Sequence, residues 1–294
     1  MITRRTFLQT TAAALASPSF AVENKMQPLV GSQLYGWGQY YQRDGNKLGE
    51  HMDDVLSALR DAGYDYAEHS LSGSAEANVK FGEQLRARGL KPVSLYTGGT
   101  LHDAEKAEAA VQRLVDGAVG AKAGGFRIIN CNPDAIGRHK TDEELATQAK
   151  WLQVLGDELA KLGMKLGIHH HTPEMGNGAK EYHANFRQTG AGSVGFCYDV
   201  HWVFRGGVLP ADALRDYGAR IVSWHLRQSR DKIWWEDLDS GDIDYAAIAE
   251  YAKANALAPF YTVELALEGG TKITRTVVEN HARSREYVRR IFGA

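Results

Sequence analysis

The chain has 294 residues, a net charge of −2, and ordinary globular proportions of 44% hydrophobic and 24% charged residues, enough apolar material for one large core. Its near-neutral balance lacks the basic footprint that nucleic-acid binding needs. Two cysteines, Cys131 and Cys197, are too few for a disulfide framework and read as small buried residues without a bond.

The N-terminal stretch MITRRTFLQTTAAALASPSFA stands apart. It carries Arg4-Arg5, then Phe7-Leu8, a short Thr/Ala run, and a small–x–small pattern at Ser19-Phe20-Ala21. Thr3 to Leu8 resembles a bacterial twin-arginine export signal. The apolar run is too short to span a bilayer, and no other segment suggests stable membrane insertion. The expectation is a twin-arginine signal over residues 1–21, a mature domain over 22–294, and a periplasmic or otherwise exported location.

From residue 29 onward, eight short apolar runs alternate with amphipathic segments. The runs are LVGSQLY (29–35), YDYAEH (64–69), KPVSLY (91–96), FRIINC (126–131), KLGIHH (165–170), SVGFCYD (193–199), RIVSWHL (220–226) and PFYTVEL (259–265). Between the first two, GEHMDDVLSALRDAG (49–63) aligns Met52, Val55, Leu56, Leu59 and Ala62 on one helical face and stops at Gly63. The segment over 141–163 opens with a Thr141–Glu144 capping box. A last helix is expected over about 271–292. Eight strand–helix units predict an α/β fold, a (β/α)8 TIM barrel in a single domain. The turn after the first run, YGWGQYYQRDG, lacks the dinucleotide-binding fingerprint.

Such barrels keep their chemistry at the C-terminal strand ends. Side chains alternate along a strand, so parity sorts the ends. Bulky Phe196, Tyr198, Trp224, Tyr261 and Val263 suit the outer face, which turns Asp199, His225 and Glu264 inward. In the fifth run, Ile168 and His170 go outward, and His169 and His171 go inward. Glu174 follows three residues after His171. Several buried carboxylates and imidazoles repel or desolvate one another without a counter-charge. A divalent cation with mixed O and N ligands removes the conflict.

At these residues the sequence resembles the sugar phosphate isomerase/epimerase superfamily of xylose-isomerase-like metal barrels. GIHHHTPEM is similar to the His-Asn-His-x-x-Glu segment of one branch. FCYDVHWVFRGG, SWHLRQS with DSGDIDY, and YTVEL resemble that branch's later motifs, so the likeness covers about residues 29–290. The resemblance implies one divalent metal, Mn²⁺ first, with Mg²⁺, Co²⁺ or Zn²⁺ as alternatives. The implied ligands are Glu174, Asp199, His225 and Glu264. Glu174 enters because this chain has His169 where many members carry the first glutamate; His169 or His171 as a direct ligand stays open.

The resemblance further implies an isomerase or epimerase that acts on a sugar or keto-sugar through a metal-stabilised enediolate. Glu174 and Glu264 are its candidate acid/base residues. His169, His171, His201, Arg227, Trp37 and Glu68 are candidate substrate contacts. Alternatives are a dehydratase or lyase eliminating from a 3-keto-sugar or glycoside, and a non-catalytic exported sugar-binding protein. A nuclease on the same barrel needs more ligands and a basic surface, which the charge argues against. No Gly-rich phosphate cradle stands out, so the expected partner is a neutral carbohydrate, with homo-oligomerisation left open.

Overall fold

The computed structural model describes residues 27–294. The export signal expected over 1–21 lies outside the described residues. Eight parallel strands form the barrel: β1 (Leu29–Gln33), β2 (Tyr66–Ser70), β3 (Ser94–Gly99), β4 (Ile128–Pro133), β5 (Lys165–Ile168), β6 (Val194–Asp199), β7 (Ile221–Leu226) and β8 (Phe260–Val263). Each pairs with its neighbours in sequence, and β8 closes on β1. The register sets His225 beside Asp199 on one side and Thr262 on the other. The Glu264 N–H bonds the Leu226 carbonyl at 3.0 Å, so this acid emerges just past β8 at the same level.

The helices that follow the strands cover the outside. α2 (Met52–Asp61) buries Val55, Leu56 and Leu59, and α5 (Asp142–Lys161) buries Leu152, Leu155 and Leu159. Each leucine so buried contributes about 1.5–3 kcal/mol. The Thr141–Glu144 capping box satisfies the free N–H groups that open α5. Two boundaries differ from expectation. The first strand stops at Gln33, because the Gln33 side chain accepts from the Tyr35 N–H and starts α1 (Leu34–Arg43) at once. The last helix, α10 (Val277–Phe292), begins later than about 271, where a second capping box joins Thr276 and Glu279.

Parity holds along the later strands. Trp224 and Tyr261 meet on the outside with tilted rings, and Tyr261 packs on Phe292 of α10. The barrel interior is filled by side chains that need glycine opposite them. A Cβ at Gly31 would sit 2.1 Å from the Tyr66 ring, whose hydroxyl bonds Thr262 at 2.8 Å. A Cβ at Gly167 would come within 2.5 Å of Asn130 Oδ1. Cys131 and Cys197 are buried and unbonded. Among the described residues no helix is long and apolar enough to cross a membrane.

Candidate metal centre and active site

One donor atom from each of His169, Asp199, His225 and Glu264 lies within 4.8 Å of the other three. All four side chains are buried. His169 follows β5, Asp199 ends β6, His225 lies in β7 and Glu264 follows β8. Asp199 is also the N-cap of α7 (Val200–Arg205), its Oδ1 accepting from the Trp202 N–H at 2.7 Å. That bond fixes the carboxylate and leaves Oδ2 facing the set.

The hydrogen bonds of the two imidazoles test whether a cation fits. Asn132 Nδ2 donates to the Pro133 carbonyl at 2.8 Å, which turns Asn132 Oδ1 towards His169 Nδ1, 3.2 Å away. His169 therefore carries its proton on Nδ1 and presents the Nε2 lone pair to Asp199 Oδ2 at 3.3 Å. His225 stands between two carboxylates, its Nε2 2.8 Å from Glu68 Oε1 and its Nδ1 2.9 Å from Glu264 Oε2. A neutral imidazole donates through one nitrogen only, so each ring leaves a lone pair facing a carboxylate unless a positive charge, on the ring or on a bound ion, stands there. A metal ion meets that demand, and far-side N–H bonds of this kind orient metal-ligating histidines. The donor set of two imidazoles and two carboxylates suits a divalent cation.

Burial alone would raise the Glu264 carboxyl, but Arg227 and the adjacent His225 hold it well below the usual carboxylate range. Asp199 is likewise lowered against burial, by the adjacent His169 and then by Arg227. Glu68 adds a third buried carboxylate, held by Ser94 Oγ at 2.5 Å and Asn130 Nδ2 at 2.7 Å. Arg227 is the one Lys or Arg side chain in the cavity wall, and its Nη2 lies 2.6 Å from Glu264 Oε1.

Glu174 is not in the set, contrary to expectation. α6 (Thr172–Arg187), whose residues 176–179 are non-helical and break it after one turn, starts directly after His171, with a proline in that first turn. Glu174 then falls at the third helical position, where its Oε2 turns back to accept from the His171 N–H at 2.6 Å. Its Oε1 is buried with no partner among the described residues, and burial raises its carboxyl to about 7. His169 takes the place expected of Glu174. His170 points outward among the Tyr182, Phe186 and Phe196 rings. Asn185 bonds it and is in turn held by Gln148, which reaches Glu181; Lys140 Nζ meets Glu181 at 2.6 Å.

A cavity of about 680 Å³ opens over the set. His169, His171 and Arg227 line it, together with Tyr96, Trp202 and Trp234. Three candidate contacts stand elsewhere. Trp37 is buried, donates to Ser32 Oγ at 3.1 Å and packs on His281, because the early start of α1 rotates it inward. Glu68 is fully buried and bonds His225 across the barrel. His201 sits among the Trp202, Phe204 and Trp234 rings, with burial and then Arg227 lowering its pKa to about 4. Sequence reasoning missed Asn132 as the His169 partner and Tyr96 as a wall residue. Asn132 stands near the end of β4, where the strand-end rule finds it, whereas Tyr96 lies mid-strand in β3.

A family model described as xylose isomerase-like TIM barrel matches residues 56–289. No curated protein matches the chain. Among solved structures, the fold is similar to a sugar phosphate isomerase/epimerase from Parabacteroides distasonis, at 19% identity and TM-score 0.72, covering 93% of this chain and 98% of that one. An L-ribulose 3-epimerase matches at 18% identity and TM-score 0.73, covering 91% and 95%. A 3-keto-D-glucoside 4-epimerase from E. coli matches at 14% identity and TM-score 0.65, covering 90% and 100%. At these identities the likeness to solved structures establishes the fold.

Proposed function

The chain belongs to the xylose isomerase-like TIM barrel family, and we propose that it is a divalent-metal-dependent isomerase or epimerase of a sugar or keto-sugar. The observation that carries this reading is the buried set His169, Asp199, His225 and Glu264, two imidazoles and two carboxylates whose donor atoms converge within 4.8 Å beneath an open cavity. When bound, a divalent cation supplies Lewis-acid polarisation of a carbonyl, which makes the neighbouring C–H acidic. Mn²⁺ is the first choice for that role.

The chain's own residues supply the rest. Glu264 takes the proton from carbon and returns it. Arg227 keeps that carboxylate ionised and in place through Nη2 and through Nε, which bonds the Glu264 carbonyl at 3.1 Å. Burial, then the nearby His169, lowers His171 to about 3. Near neutral pH it is an uncharged ring in the cavity wall, able to bond a substrate hydroxyl. Trp202 and Trp234 offer rings for sugar C–H faces. The Arg4-Arg5 pattern supports export of the folded enzyme.

One observation favours a second reading. With Glu174 turned to the start of α6, Glu264 is the one carboxylate among the described residues of the cavity wall. A single base moves a proton on one face of the substrate. That suits same-face isomerisation, or elimination from a 3-keto-sugar, better than a two-face epimerisation. The test is NMR of the Mn²⁺-loaded protein in D2O with a panel of ketoses and 3-keto-sugars. Deuterium entry or an eliminated product supports the enolising enzyme, and Glu264→Gln lowers it by about 100-fold or more. A panel with neither outcome overturns it.

A further inference from the structure

The cavity is larger than the chemistry at its base requires. A hexose has twelve non-hydrogen atoms; granting each a whole water's share of volume, about 30 Å³, gives about 360 Å³. The cavity measures about 680 Å³. The wall of the cavity extends from the metal set to one face of α1.

That face has a clear helical logic. Tyr35, Gly38, Gln39 and Gln42 fall at i, i+3, i+4 and i+7, and all four line the cavity. The opposite face buries Leu34, Trp37 and Tyr40. Tyr35 is 58% exposed, an aromatic ring in a cavity wall instead of in the core. Gly38 has no side chain, which leaves room beside Leu48, 3.8 Å from where its Cβ would be. The face is also held rigid against the metal-bearing strand end. Gln39 Nε2 donates to the Leu267 carbonyl at 3.0 Å, and Gln39 Oε1 accepts from the Leu267 N–H at 2.7 Å, three residues past Glu264. The outer wall therefore keeps a fixed position relative to the set. It carries no Lys or Arg, so it suits an uncharged unit.

We propose that the α1 face is a second sugar subsite, and that the substrate class is a neutral glycoside of two ring units. The reacting ring sits over His169, Asp199, His225 and Glu264, and the second ring lies on Tyr35 with its hydroxyls towards Gln42. This assignment rests on the enolising reading for the identity of the first ring. Its own evidence is the cavity's size and the α1 wall.

The test is calorimetry of the Mn²⁺-loaded full chain with glucose, galactose and fructose against cellobiose, lactose and sucrose. At least one disaccharide is expected to bind about tenfold more tightly than either of its component sugars. Tyr35→Ala is expected to remove that advantage and leave monosaccharide affinity unchanged. Disaccharides that bind no better than their components overturn the subsite, as does a Tyr35→Ala variant that weakens both classes equally. The two readings fail separately. A disaccharide advantage without proton exchange in D2O removes the enolising chemistry alone. Exchange on a free ketose without a disaccharide advantage removes the subsite alone.

Discussion

Two buried polar clusters lie on opposite sides of the β5 end, and they are built differently. Outside the barrel, Lys140, Gln148, Glu181 and Asn185 run to His170, and the lysine charge meets the Glu181 carboxylate at 2.6 Å. Inside, His169 and His225 meet three carboxylates, Glu68, Asp199 and Glu264, and the one nearby guanidinium, Arg227, is engaged with Glu264. The outer cluster pairs its carboxylate with a lysine, although His170 Nδ1 and Gln148 Oε1 find no partner among the described residues. The inner one sets three carboxylates against one guanidinium and two imidazoles, a deficit of positive charge that a divalent cation would fill. Burial and polarity are common to both, so the balance of charge within a cluster is what separates a tie from a site.

The largest effect that sharpens the contrast is expected at Asp199. Asp199→Ala should abolish metal binding and lower proton exchange by about 1,000-fold or more, because several kcal/mol of charge stabilisation are lost. Circular dichroism should show the fold retained. Lys140→Met strikes the outer cluster. It leaves Glu181 buried without its partner and should cost about 3–5 kcal/mol in urea unfolding. Metal content per folded chain should stay unchanged, and a loss of metal there would break the division between the two clusters.

Smaller effects probe the links. Glu68→Gln should weaken metal affinity by about 10- to 100-fold, as expected for a partner that orients a ligating histidine, measured by competition with a fluorescent chelator. Glu174 gives a pH-dependent test. Its carboxyl titrates near 4.5 as a free group and at about 7 in the fold, raised by burial. The unfolded chain releases that proton first, so stability falls as pH rises from about 4.5 to about 7 and stays lower above. Glu174→Gln removes the loss. It should be more stable than the parent by about 1–3 kcal/mol near pH 8 and equal to it near pH 4.

The barrel was legible because each unit switches hydrophobic period from two to 3.6, and because parity in β6, β7 and β8 turns the same class of residue inward. Asp199, His225 and Glu264 could be read together for that reason. Glu174, in the segment Thr172-Pro173-Glu174, was expected among the ligands from the resemblance alone. The same residues are a helix start, with proline in the first turn and glutamate at the third position. Trp37 was misplaced by the boundary of one short strand, since the Gln33 cap begins α1 before the aromatic run. Glu68 could not be read locally. Its partner His225 lies 157 positions away and becomes a neighbour only when the barrel closes.

The most direct measurement is metal stoichiometry by elemental analysis of the purified full chain beside His169→Ala and Glu174→Gln. Close to one divalent ion per chain is expected in the parent and in Glu174→Gln, with little or none in His169→Ala. Metal retained by His169→Ala and lost by Glu174→Gln would contradict the assignment of His169 to the centre.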